Sequence, residues 1–146
     1  MNQRILVADN DEVVRNGLGV LLSTAGYATF LAVDGVSLIE QARKHQPHLI
    51  MLNLCLPAGT AIELVQTLRR FPEFTRTPIF VFAGREHRTS ANQVFVAGGN
   101  AFLPTPFNRQ ILFSLIAKFL PSEKILSSIT PVLAVDPRQK QPVPFS

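Results

Sequence analysis

Apolar runs of strand length alternate five times with segments of helical period between residues 5 and 120. The first run, Ile5-Leu6-Val7-Ala8, is too short for a helix and too apolar for a strand with one wet face, so it predicts a strand covered on both sides. Behind it Val14, Leu18, Leu21, Leu22 and Ala25 recur at helical spacing, and Gly26 supplies a C-cap. A second strand covers residues 28–32. Asp34 predicts the N-cap of a helix that turns Leu38, Ile39 and Ala42 inward and stops before Pro47. The most apolar run, residues 48–54, carries Asn53 at its end and is broken by Pro57 and Gly59. Ile62, Leu64, Val65 and Leu68 mark a third helix, and Pro78 introduces a fourth strand at residues 79–82. Val94, Val96 and Ala97 belong to a short fourth helix ending at Gly98-Gly99. The last strand is residues 101–103, and Asn108 caps a final helix with Ile111, Leu112, Leu115, Ile116 and Phe119 along one stripe.

Strands separated by helices require right-handed parallel crossovers, which wrap helices over both faces of an open sheet. The fold class is therefore α/β: a doubly wound, five-stranded parallel sheet flanked by five helices. In that architecture ligands bind beyond the carboxyl ends of the strands. The residues expected there are Asp9, Asn10 and Asp11 after strand one, Asn53 after strand three, Phe82 after strand four and Thr105 after strand five. Past Leu120 the pattern stops. Residues 1–120 read as one domain and residues 121–146 as a Pro-rich tail or linker, either a flexible end or an extension that docks on the domain.

Three segments in this order resemble a response-regulator receiver domain of two-component signalling: Asp9-Asn10-Asp11, the stretch Met51-Leu52-Asn53-Leu54-Cys55-Leu56-Pro57, and residues 98–107 ending Pro104-Thr105-Pro106-Phe107. The resemblance spans residues 4–120 and implies the flavodoxin-like strand order 2-1-3-4-5. It also implies that an active member takes phosphate onto an aspartate at position 53, beside a divalent metal held by carboxylates after strands one and three. A hydroxyl at position 82 and a lysine at position 105 would contact the phosphoryl group, and an aromatic residue at position 102 would report the switch.

This chain departs from that pattern at four of those places. Asn53 is an amide, a poor nucleophile that forms no acyl phosphate. Asn10 removes a carboxylate, so Mg²⁺ binding is expected to be weak or absent unless Asp11 turns in. Phe82 donates no hydrogen bond, and Thr105 carries no charge to offset phosphate. The remnant acidic pocket is Asp9, Asn10 and Asp11; Asn53 is the degenerate acceptor position, and Phe82, Thr105 and Phe102 are the degenerate switch positions. The reading is an atypical pseudo-receiver that works through protein contacts, with a small-ligand or anion-binding module at the same crevice as the alternative. Its partners are expected to be a signalling kinase, an effector or a second copy, with a homodimer through helices four and five as one form. The family's lysine-proline step predicts a cis Thr105-Pro106 bond.

Composition narrows this further. With 47% hydrophobic and 16% charged residues the chain can bury a sizeable core. The net charge of +4 is scattered rather than striped, which argues against nucleic-acid binding by this domain. No apolar stretch has the length of a membrane helix, and no signal-peptide pattern opens the chain. A single cysteine, Cys55, is expected to pack as a small apolar side chain, and its lack of an internal partner points to a reducing, cytoplasmic setting. His45, His48 and His87 lack metal-ligand spacing, and Gly98-Gly99 sits in no phosphate-loop pattern. No nucleophile with a base or metal cluster can be assembled, so no enzyme, cofactor or metal is expected.

Overall fold

The computed structural model describes residues 3–57, 60–84 and 90–120. By contacts the chain divides into two units, Met1–Phe107 and Asn108–Ser146. The first holds β1 (Arg4–Ala8), α1 (Glu12–Thr24), β2 (Ala28–Ala32), α2 (Gly35–His45), β3 (Leu49–Asn53), α3 (Ala61–Arg70), β4 (Ile79–Gly84), α4 (Ala91–Ala97) and β5 (Ala101–Thr105), with a 3-10 turn at Pro72–Phe74. The second holds α5 (Arg109–Phe119). The strands form one parallel sheet in the order β2-β1-β3-β4-β5.

Both faces of the sheet are covered, which is why its central strands read as unbroken apolar runs rather than alternating ones. Leu6, Ala8, Ile50, Leu52, Ile79 and Val81 point to one face and join Leu38 and Ala42 of α2, Leu64, Val65 and Leu68 of α3, and Val94 of α4 in a single cluster. Ile5, Val7, Leu49, Met51, Phe80 and Phe82 alternate to the other face and are buried as well. Register is thereby fixed, because a one-residue slip would exchange the two sets.

Helix boundaries follow local chemistry. Asp11 caps α1 by accepting from the Val13 and Val14 N–H groups, and Asp34 and Thr60 form capping boxes with Ser37 and Glu63. Asn108 caps α5 through the Ile111 N–H. Gly26 and Gly98 end α1 and α4 at φ +104° and +118°, a region that side chains with a Cβ rarely enter. A Cβ at Gly99 would meet Val94 Cγ1 at 2.5 Å, so this position needs glycine for space.

Several expected inward positions are corrected. Val14 and Ala25 are exposed on α1, Val96 is 83% exposed on α4, and Ile111 is 51% exposed on α5. On α5 and its C-cap the buried positions are Leu112, Ile116 and Leu120, so the stripe is narrower than expected and ends one residue later. Cys55 is exposed in the turn after β3 instead of packed. The Thr105-Pro106 bond is cis, as expected. Residues 121–146, His87 and Gly59 lie outside the described residues. No helix among the described residues is long and apolar enough to cross a membrane.

Candidate functional site at the carboxyl ends of the strands

The register sets up the site before any side chain is considered. Val7 lies level with Met51, which brings Asp9 and Asn53, two residues on, together; Asn53 in turn lies level with Phe82. Asp9, Asn53 and Phe82 therefore form one row across β1, β3 and β4 on a single face. Thr105 lies level with Gly84, two residues beyond Phe82, and is half-buried. Phe102 alternates to the opposite face and packs, half-buried, against the main cluster.

Asp9 is 1% exposed and is the one wholly buried charged side chain among the described residues. A carboxylate out of water needs donors. Its Oδ1 accepts from the Asp11 backbone N–H at 2.8 Å, and its Oδ2 accepts from the Asn53 Nδ2 amide at 3.1 Å. The Asn53 Oδ1 accepts from the Cys55 N–H at 2.7 Å. The amide orientation follows from its partners: Cys55 N–H demands an acceptor and Asp9 demands a donor, so reversing the amide would break both bonds. Asn53 thus ties the end of β1 to the turn after β3. Arg15, a turn into α1, reaches back to donate to the Asp9 carbonyl at 2.9 Å.

Asp11 does not turn in. Its carboxylate is spent on the first turn of α1, and Asn10 is exposed between the two aspartates. Phe82 is 1% exposed, with the ring of Phe107 edge-on at a centroid distance of 6.3 Å and 78° between planes.

The residues present do not fit a resident Mg²⁺ ion. Mg²⁺ needs oxygen donors in an octahedral array. Here Asn53 turns its NH₂ toward Asp9, both Asp9 oxygens are already accepting, and Asp11 is engaged as a cap. Among the described residues no group of three His, Cys, Asp or Glu side chains could hold a metal ion.

The structure brings Asp9, Asn53 and Phe82 into one row, whereas Asn10 is exposed, Thr105 lies level with Gly84 and Phe102 faces the other side of the sheet. Arg15 and Phe107 were not singled out by sequence reasoning. Phe107 had entered only as the last residue of the third resembling segment. Nothing marked Arg15. A larger omission is Arg69, which donates to the Gly98, Phe74 and Thr77 carbonyls and to Asn100 Oδ1 at 2.7–3.0 Å.

This architecture, with its row of positions at the strand ends, defines a flavodoxin-like receiver fold. The profile of the response regulator receiver domain family matches residues 5–117. Response regulator MprA of Mycobacterium ulcerans is 31% identical over 125 residues, covering 86% of this chain and 53% of its own length. The chemotaxis response regulator CheY4 of Vibrio cholerae superposes with a TM-score of 0.77 at 23% identity, over 82% of this chain and all of its own. The receiver domain of yeast Ssk1, solved with the histidine phosphotransfer protein Ypd1, superposes at 0.73 with 20% identity, over 81% of this chain and 88% of its own. The chain belongs to the response regulator receiver domain family and is a receiver domain of two-component signalling. It spans about half the length of the curated relatives it matches.

Proposed function

We propose that this receiver is a phosphorylation-independent pseudo-receiver, not an enzyme, that regulates through protein contacts. The observation that carries the reading is the hydrogen bond from the Asn53 amide to Asp9. At the position of the acceptor carboxylate stands a group that cannot take phosphate, held in place by the residue that would have helped to bind metal. Phe82 and Phe107 fill the adjacent position with apolar surface, which also weighs against the alternative of a small ligand or anion in this crevice.

Protein contact has candidate surface. Phe95 and Val96 on α4 are 48% and 83% exposed, in a helix with no charged residue. The partner classes are a signalling kinase or phosphotransfer protein, as with Ssk1 and Ypd1, an effector, or a second copy joined through helices four and five. Light scattering tests the last form: a monomer at high concentration removes it and leaves a different protein as partner.

The deciding experiment incubates the protein with acetyl phosphate, or beryllofluoride, and Mg²⁺, then records intact mass and amide spectra. The expected result is unchanged mass and unchanged spectra around position 53. Gain of one phosphoryl group overturns the proposal.

A further inference from the structure

The sheet ends on one side at β2, and a short stretch of that edge is open. In a parallel ladder the N–H and C=O of alternate residues point to the same neighbouring strand. The Ala28 N–H donates to the Gln3 carbonyl at 2.9 Å and the Ala32 carbonyl accepts from the Asp9 N–H at 3.1 Å, so Ala28, Phe30 and Ala32 face β1. Thr29 and Leu31 therefore point their N–H and C=O groups away from the sheet. On either side of them the outward N–H groups are taken: Tyr27 donates to the Leu22 carbonyl at 3.1 Å and Val33 to the Ser37 hydroxyl at 3.0 Å. Among the described residues nothing bonds the outward backbone groups of Thr29 and Leu31.

Nothing in the strand guards this opening. Edge strands are blunted by Lys, Pro, a bulge or an inward-pointing charge. β2 reads Ala-Thr-Phe-Leu-Ala and has none of these, and its pairing with β1 is regular from Ala28 to Ala32. The helices packed against β2 are α1 and α2, and Val20, Leu31, Val33 and Val36 around it are exposed.

Charge and symmetry select a second copy as the occupant. Each copy carries a net charge of +4, which opposes most ways of bringing two together. No charged residue lies between Arg15 and Asp34, so the β2 edge and the adjoining part of α1 let two copies meet without setting like charges face to face. The open backbone groups also complement themselves. An antiparallel copy centred on Phe30 sets Thr29 opposite Leu31 of the second copy, so that every outward N–H meets a C=O and the two Phe30 residues face each other on the two-fold axis.

We propose that the β2 edge is a self-pairing surface, through which two copies of this chain join Thr29 to Leu31 antiparallel and fuse their two five-stranded sheets into one. This interface is separate from helices four and five and does not depend on whether position 53 accepts phosphate.

The test follows backbone amide exchange residue by residue in the reduced full chain, at low micromolar and at millimolar concentration, with light scattering in parallel. Pairing predicts a dimer at the higher concentration, in which the Thr29 and Leu31 amides gain about tenfold protection or more. Leu31→Pro removes an outward N–H from each copy and no bond to β1, and should weaken association about tenfold. Leu31→Lys keeps the N–H but brings two like charges to the axis; it should weaken association as well, and it carries the test if the proline variant does not fold. Val96→Asp on α4 should change neither readout. A monomer at millimolar concentration overturns the proposal, as does a dimer whose Thr29 and Leu31 amides still exchange fast or one that Val96→Asp abolishes. Protection already complete at the lowest concentration means that the edge is closed within one chain, and protection that appears only with another protein assigns the edge to that partner; either result overturns it too.

Discussion

The two ends of the sheet are built from opposite electrostatic materials. At the amino ends of the strands, cations rest on carbonyl oxygens: Arg4 donates to the His45 and Gln46 carbonyls, and Arg69 to those of Phe74, Thr77 and Gly98. At the carboxyl ends, carboxylates accept from N–H groups: Asp9 from Asp11, Asp11 from Val13 and Val14, Asp34 from Ser37. A βα unit imposes this division, because each helix begins beyond the carboxyl end of one strand and finishes near the amino end of the next. Helix N-termini expose N–H groups and favour anions; helix C-termini expose carbonyls and favour cations. The carboxyl end is therefore the natural place for anions, and in this chain Asn53 donates there to the buried Asp9 carboxylate while Phe82 is buried beside it.

The largest test of the comparison is Arg69→Met. It keeps the aliphatic stem but leaves the Phe74, Thr77 and Gly98 carbonyls without their donor, and urea unfolding should show a loss of about 3 kcal/mol. A loss well under 1 kcal/mol would mean that water replaces the guanidinium and that the amino end is not held by its cations.

At the carboxyl end, Asn53→Asp sets a second carboxylate against Asp9, where the amide now sits at 3.1 Å. A destabilisation of about 1–3 kcal/mol at neutral pH is expected, because the new pair repels and loses a hydrogen bond. Millimolar Mg²⁺ should recover part of it, while the wild type should not respond to Mg²⁺. The variant alone should not become a working switch, since Phe82, Thr105 and Asn10 remain. Robust phosphorylation of Asn53→Asp with a changed oligomeric state would show that Asn53 was the sole obstacle.

Thr60→Ala, which removes the α3 capping box, should cost about 1 kcal/mol by the same unfolding measurement.

Acid titration separates the two ends with the smallest effect. Burial, with the Arg4 charge second, pulls the His48 pKa down, and its Nδ1 accepts from the Arg4 N–H. The unfolded chain then binds this proton more readily than the folded one. Stability falls as pH drops below the ordinary histidine value of about 6.5 and levels off under the lowered folded value. His48→Asn should flatten that part of the curve. The Asp34 pKa is lowered, chiefly by the Ser37 backbone N–H and then by the Ser37 hydroxyl. Its stabilisation is present above the ordinary aspartate value of about 3.9 and is lost as pH falls through the lowered folded value. Asp34→Ala should flatten only this lower step.

Much of this was legible in the sequence. Doubly covered strands announce themselves as unbroken apolar runs, and Asp34, Asn108 and Gly26 act locally, within a turn of their own position. Surface apolar residues were harder to read. Val14 and Ile111 fit helical stripes yet face outward, because periodicity fixes a helix's own face but not how wide a strip its neighbours cover. The Phe74 turn was missed because a 3-10 turn of three residues leaves no periodic trace.

By itself the sequence determined the five βα units and the strand ends where Asp9, Asn53 and Phe82 lie, since each depends on residue type and on periods of 2 or 3.6. Only the tertiary structure decided that Asn53 donates to Asp9, that Asp11 serves α1 rather than the pocket, and that Arg69 gathers carbonyls from segments up to 29 residues away. The Asn53–Asp9 and Arg69–Gly98 bonds join residues 44 and 29 apart in the chain, with partners selected by strand register and helix placement, whereas the Asp11 bond is local and the structure decided only which of its two possible roles it takes.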